Sequence, residues 1–255
     1  MYVVDKGGRI QRLSQVGEYL TAWRMPEIAA GKPTGLGIAP DGRVFAADTH
    51  YSRVMIFDAE GALLQSVGEY GDEGGQFRLP TDVAIDDDGF IYVAEYGGND
   101  RISKFTADWR YLFSFGTRDS GAAALNRPQS MRLAPDGTLW VADAAHHRVV
   151  RFSTEGEFLG AFGRLGSGPG ELRFPYCVDV LPDGTLAVCE HGNNRVQRFT
   201  ADGRSLGTWG AAGRELGRLA YPWALLVGAK GRLLVIDSGN NRAQVIAGLA
   251  DETWQ

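Results

Sequence analysis

Five prolines, Pro33, Pro80, Pro128, Pro175 and Pro222, are spaced 47, 48, 47 and 47 residues apart, and each opens the same kind of segment. The five read KPTGLGIAPDG, LPTDVAIDDDG, RPQSMRLAPDG, FPYCVDVLPDG and YPWALLVGAKG. A fixed period of this length marks a chain built from stacked copies of one supersecondary unit. After each opening comes a second apolar run ending in an acidic residue, as in FAADTHYSRV, YVAEYGGNDRI, WVADAAHHRVV, AVCEHGNNRVQ and VIDSGNNRAQ, and the N-terminal YVVDKGGRIQRL is a sixth copy. The acidic position is Asp5, Asp48, Glu95, Asp143, Glu190 and Asp237; the basic one is Arg9, Arg53, Arg101, Arg148, Arg195 and Arg242.

Alternating residues, Asp-Gly turns and a third and fourth run in most copies (RVQRF, SLGTWG) describe a four-stranded antiparallel meander. A lone meander with two apolar faces leaves one of them in water. Radial stacking covers both faces and leaves only short edges. The expected fold is therefore all-β: a six-bladed β-propeller of four-stranded antiparallel blades, one domain over 1–255. Within it, 1–24 forms a partial first blade, 25–246 the repeats, and 247–255 a tail or a closing strand. In the first strands one phase is apolar (Leu36/Ile38, Val83/Ile85, Val178/Val180), while the other holds Gly35, Gly37, Ala84 and Ser130, as crowding near a central axis would require.

A chain of 255 residues buries roughly 70–75% of its unfolded surface, so it needs no staples. Its two cysteines, Cys177 and Cys189, are expected to be buried free thiols on adjacent strands. The net charge of -5 argues against a general polyanion binder. No run of about 18 apolar residues is present, and MYVVDKGGRI lacks the apolar core of a signal peptide, so a water-soluble chain without a membrane segment is expected.

Glu190 beside His191 invites reading as a catalytic or metal-binding pair. Every copy has an acid at that position, however, so the expectation is a carboxylate that pairs with the repeat arginine and accepts backbone N–H groups. Such partly exposed pairs would contribute about 0–1 kcal/mol each and order loops more than they hold the fold. All four histidines, His50, His146, His147 and His191, fall in the loops between second and third strands.

These features, with HGNNRVQRF, SGNNRAQVI and AAHHRVVRF as the best-matched copies, resemble the NHL-repeat family of β-propellers. The resemblance spans nearly the whole chain and implies the fold; a widely shared fold leaves the ligand open. One branch of that family is a metal-dependent lyase acting on peptidyl-hydroxyglycines, in which Pro-His pairs bring imidazoles to a metal over the channel. Here the residues after the prolines are Thr34, Thr81, Gln129, Tyr176 and Trp223, so that activity is not expected. Asp82 alone matches an acidic position of that branch.

The leading expectation is a non-catalytic binding scaffold that presents its channel mouth and loops to a protein or peptide, or to a small molecule. Its candidate ligand-binding residues are Thr34, Thr81, Asp82, Gln129, Arg132, Tyr176, Asp179, His191 and Trp223. Tyr176 and Trp223 set two aromatics on neighbouring blades, and Arg132 is expected to pair with Asp179. No resident cofactor is expected. The alternative is a lactonase-like enzyme holding a divalent cation in the channel through carboxylates such as Asp82 and Asp179. RNA binding, known in some animal relatives, ranks third. The loops mix Arg78, Arg127, Arg173, Arg214 and Arg218 with Asp72, Glu73, Glu171 and Glu215, a near balance that disfavours nucleic acid.

Overall fold

The computed structural model describes residues 1–14, 17–228 and 232–246; the proposed closing strand at 247–255 lies outside them. Six antiparallel sheets follow one another along the chain, and no described residue is in an α-helix. The chain divides into two compact units, Met1–Leu125 and Asn126–Gln255.

The first unit holds three sheets in chain order. They are β1 (Tyr2–Val4), β2 (Arg9–Leu13) and β3 (Tyr19–Arg24); then β4 (Gly35–Ile38), β5 (Val44–Asp48), β6 (Arg53–Phe57) and β7 (Leu63–Val67); then β8 (Leu79–Ile85), β9 (Ile91–Tyr96), β10 (Arg101–Phe105) and β11 (Tyr111–Phe115). The second unit repeats the plan. Its sheets are β12 (Pro128–Leu133), β13 (Thr138–Asp143), β14 (Arg148–Ser153) and β15 (Phe158–Phe162); β16 (Pro175–Val180), β17 (Leu186–Glu190), β18 (Arg195–Phe199) and β19 (Ser205–Trp209); and β20 (Ala224–Val227), β21 (Leu233–Asp237) and β22 (Arg242–Ile246). Among the described residues the first and last sheets therefore have three strands and the others four.

The apolar pattern follows from where each strand lies in its sheet. β5, β13 and β17 each end on a buried acidic residue, and β9 carries Glu95 one residue before its end, in every case after a fully buried apolar run, the pattern of a strand covered on both faces. Fourth strands such as β7 are mostly exposed. Phe45, Ile56, Phe77, Val83, Val93 and Phe105 fill the space between the second and third sheets. Trp140, Leu172, Val178, Leu186 and Phe199 do so between the fourth and fifth, and Cys189, Leu219, Leu233 and Val235 between the fifth and sixth. Cys177 and Cys189 stand directly opposite each other on β16 and β17, both buried and not disulfide-bonded.

The small and polar phase of the first strands sits where neighbouring first strands crowd one another. A Cβ on Gly35 would collide with the Thr81 carbonyl oxygen and the Asp82 carboxylate, and one on Gly37 with the Val83 carbonyl: the neighbouring first strand itself occupies that space. The same phase sews neighbours together. Thr34 Oγ1 donates to Thr81 O (3.0 Å), Val178 N donates to Ser130 Oγ (3.1 Å) and Val227 N donates to Asp179 Oδ2 (2.7 Å).

The six repeat acid–arginine pairs are all in contact: Asp5–Arg9 2.7 Å, Asp48–Arg53 2.9 Å, Glu95–Arg101 2.6 Å, Asp143–Arg148 2.7 Å, Glu190–Arg195 2.5 Å and Asp237–Arg242 2.7 Å. Five of the carboxylates have no exposed surface, and only Asp5 keeps 21%. They are thus more deeply placed than a loop position suggests. Arg53, Arg101, Arg195 and Arg242 also reach back to the loop leading into their sheets, as when Arg195 donates to Ser167 O, Gly168 O and Glu171 O. Truncating a buried member should therefore cost far more than truncating the exposed one. We expect Glu190→Ala to cost about 3 kcal/mol and Arg9→Ala, whose side chain is half exposed, less than about 1 kcal/mol, read from urea unfolding midpoints; equal losses would contradict this account.

Candidate functional site

In the second unit the loops after β17 and before β16 and β20 bring a group of rings together. The His191 imidazole stacks on the Tyr176 ring with centroids 4.3 Å apart and planes 23° apart. Trp223 meets Tyr176 edge-on at 5.0 Å, and Tyr221 tilts against His191 at 5.3 Å. Arg127 places its guanidinium 5.9 Å from the Tyr176 centroid. Tyr176 is the buried floor of this group, Trp223 is partly exposed, and Tyr221 keeps 61% of its surface in water.

Phe174 and Tyr221 hold an unusual backbone. Arg127, Phe174 and Tyr221 each precede the opening proline of a sheet and have φ of 58°, 48° and 48°, a left-handed conformation that non-glycine residues seldom adopt. Two of these strained peptides are anchored in the same way. His147 Nδ1 accepts the Phe174 N–H (3.1 Å), and Asn194 Oδ1 accepts the Tyr221 N–H (2.7 Å). His147 and Asn194 sit 27 residues before their partners and are themselves left-handed. The Phe174 carbonyl then accepts His191 N (3.0 Å), and its ring meets His147 edge-on at 4.6 Å. The pre-proline position is what reasoning from the sequence missed. The signal was available in the large side chains that recur there at 127, 174 and 221.

Glu190 and His191, adjacent in sequence, serve different structures. The Glu190 carboxylate takes Arg195 Nε, Asn193 Nδ2 (2.6 Å), Gln197 Nε2 (3.2 Å) and Arg173 N (3.0 Å). Burial raises its pKa above the usual carboxylate range, against the pull of Arg195. His191 belongs to the ring group. Burial first, and then the Arg127 charge, holds its pKa below the usual imidazole value. Among the other candidates, Thr81 and Gln129 are buried, Thr81 Oγ1 donating to Ala94 O (3.2 Å), and Asp82 Oδ1 accepts Val83 N (3.0 Å). Thr34 shares a hydroxyl bond with Thr49 (2.7 Å).

Arg132 Nε contacts Asp179 Oδ1 at 2.7 Å, with the arginine 46% exposed and the carboxylate 3%. Asp179 also accepts Val180 N (2.8 Å) and Val227 N (2.7 Å), and burial raises its pKa despite Arg132. One carboxylate therefore joins β12, β16 and β20. His146 Nδ1 lies 2.9 Å from Asp143 Oδ2, but that carboxylate already holds Arg148 and the Asn126 N–H. Among the described residues no three His, Cys, Asp or Glu side chains are grouped as metal ligands would be, and no helix is long and apolar enough to cross a membrane.

A proton on His147 would turn its Nδ1 from acceptor to donor and break the bond to Phe174. Burial, then the charges of Arg173 and His146, lower its pKa, with only Asp143 opposing. On acidification the unfolded chain takes up this proton first. The contribution to stability is therefore complete above about pH 6.5 and declines below it. We expect unfolding midpoints to fall between about pH 7.5 and about pH 5.5. The fall should be smaller in His147→Asn, which copies the acceptor at Asn194; an unchanged pH slope would contradict the assignment.

Similarity to known proteins agrees with this plan. The model of the NHL repeat matches residues 77–105 and 125–152. NHL repeat-containing protein 3 of Mus musculus is 29% identical over 171 residues, 58% of this chain and 47% of that protein. A Caenorhabditis elegans protein named "Probable peptidyl-alpha-hydroxyglycine alpha-amidating lyase pgal-1" is 32% identical over 123 residues, 46% of this chain and 35% of that one. The chain thus matches about half the length, or less, of these relatives. Among solved structures, the WD40 beta propeller domain of Doa1 superposes with a TM-score of 0.68 at 13% identity, covering 98% of this chain and 75% of that one. Six successive antiparallel sheets, the recurring acid–arginine pair and these matches make the chain similar to the NHL-repeat β-propellers.

Proposed function

We propose that this chain is a non-catalytic binding scaffold whose contact surface is the ring group of its second unit. The observation that carries this reading is Tyr221 and Trp223, held partly in water against a stack of buried Tyr176 and half-buried His191. Large aromatics fixed in place and left exposed are the side chains that anchor protein contacts, because they bury much area and lose little rotamer freedom. The strain at Phe174 and Tyr221 adds to it. Left-handed non-glycine residues cost of order 1–3 kcal/mol each and persist where the surroundings impose them, often at binding surfaces. The repeat acids and arginines of the same loops are turned inward on one another and leave little catalytic equipment.

The partner class this surface suits best is a protein or peptide, with a small molecule as the narrower case. A metal-dependent reaction would instead need carboxylates free to take a cation, and Asp179 would first have to release Arg132 and two backbone donors. A partner recovered on immobilised protein should lose about 2 kcal/mol or more of affinity, roughly thirtyfold, on Trp223→Ala and on Tyr221→Ala. Titration calorimetry gives the numbers. Stoichiometric calcium or zinc in purified protein, with capture untouched by both substitutions, would overturn the reading in favour of an enzyme.

A further inference from the structure

The ring group is flanked by cations. Arg127 lies over Tyr176 on one side. The 173–174 segment, in the loop before β16, lies against 191–192: Gly192 N donates to Arg173 O (3.0 Å), His191 N donates to Phe174 O (3.0 Å), and a Cβ on Gly192 would strike the Arg173 side chain. The exposed Arg173 guanidinium has no carboxylate partner among the described residues. Nearby acids are otherwise engaged. Asp143, Glu190 and Asp237 are fully buried on their arginines, Glu171 holds Arg164, and Glu215 sits between Arg214 and Arg218 in sequence.

Exposed aromatic surface belongs to the same place: Tyr221 is 61% exposed and Phe174 36%. The chemistry presented is therefore aromatic surface with an unpaired positive charge at its edge.

We propose that the unpaired Arg173 guanidinium, set beside the His191–Trp223–Tyr221 rings, makes this surface a receptor for a peptide segment carrying a carboxylate next to an aromatic side chain. The proposal rests on the binding-scaffold reading above and narrows it to one ligand chemistry. The carboxylate takes the planar fork of Arg173 in a bidentate contact, and the neighbouring ring stacks against Trp223 and Tyr221. Arginine suits this role because its guanidinium is weakly hydrated and both pairs and stacks. A polyphosphate chain fits less well. It needs a track of cations, and the loops beside this site alternate Arg164, Glu171, Arg214, Glu215 and Arg218.

The test uses the full chain and three blocked pentapeptides: Gly-Glu-Phe-Glu-Gly, the same with lysine in place of glutamate, and the same with alanine in place of phenylalanine. Binding is followed through the indole N–H resonance of Trp223, assigned from Trp223→Phe. The acidic aromatic peptide should bind at least about tenfold more tightly than either other peptide. Arg173→Glu, an exposed change that should leave the melting temperature in place, should reverse the order of the glutamate and lysine peptides. Equal binding of the glutamate and lysine peptides, all lost in Trp223→Ala, would overturn the charge chemistry and leave the scaffold standing. No binding by any peptide, or tighter binding of an oligouridylate, would overturn the proposal; the latter would identify an RNA surface.

Discussion

A carboxylate taken out of water must be given donors for its lone pairs, and this chain meets that demand once per repeat. Glu190 is bound by an arginine, an asparagine, a glutamine and a backbone N–H; Asp237 repeats the set with Arg242, Asn240, Gln244 and Ala220 N. The donors come from three places: the turn after the second strand, the third strand and the loop arriving from the preceding sheet. Each buried acid is thus the point at which consecutive sheets are fastened. Asp48 is the informative exception. Where Glu95, Asp143, Glu190 and Asp237 accept an N–H from the arriving loop, the buried Asp48 Oδ1 has no hydrogen-bond partner. The loop before it, MPEIAAGKP, is shorter than the later ones.

What could be read from the sequence was whatever repeats. The 47-residue spacing, the acid–arginine positions and the alternation of the first strands are each stated several times over in the chain, and the sheets follow that register. What could not be read was the depth of the acids. Five of them are sealed because adjacent sheets close over the turn, which no local pattern reports. The particular groups that exclude a side chain at Gly35 and Gly37 were hidden in the same way, since they belong to the next first strand, some 47 residues further on.

The ring group shows where repetition ends and individuality begins. The proline that opens each of five sheets, Pro175 among them, is a fixed feature of the repeat, yet what fills the positions on either side of it differs from sheet to sheet: Lys32 and Thr34, Leu79 and Thr81, Arg127 and Gln129, Phe174 and Tyr176, Tyr221 and Trp223. Those residues are free to differ because the seam bonds and the acid hubs carry the architecture without them. At these flanking positions aromatics stand at 174, 176, 221 and 223, and left-handed pre-proline residues occur at 127, 174 and 221.

Cys177 and Cys189 face each other across β16 and β17 with their thiols buried, and burial keeps the Cys189 thiol protonated well beyond its ordinary range. An alkylating reagent can reach such a sulfur only while those strands part. The rate at which label accumulates would therefore clock how often this sheet breathes, using two atoms already in place beneath the Tyr176 floor.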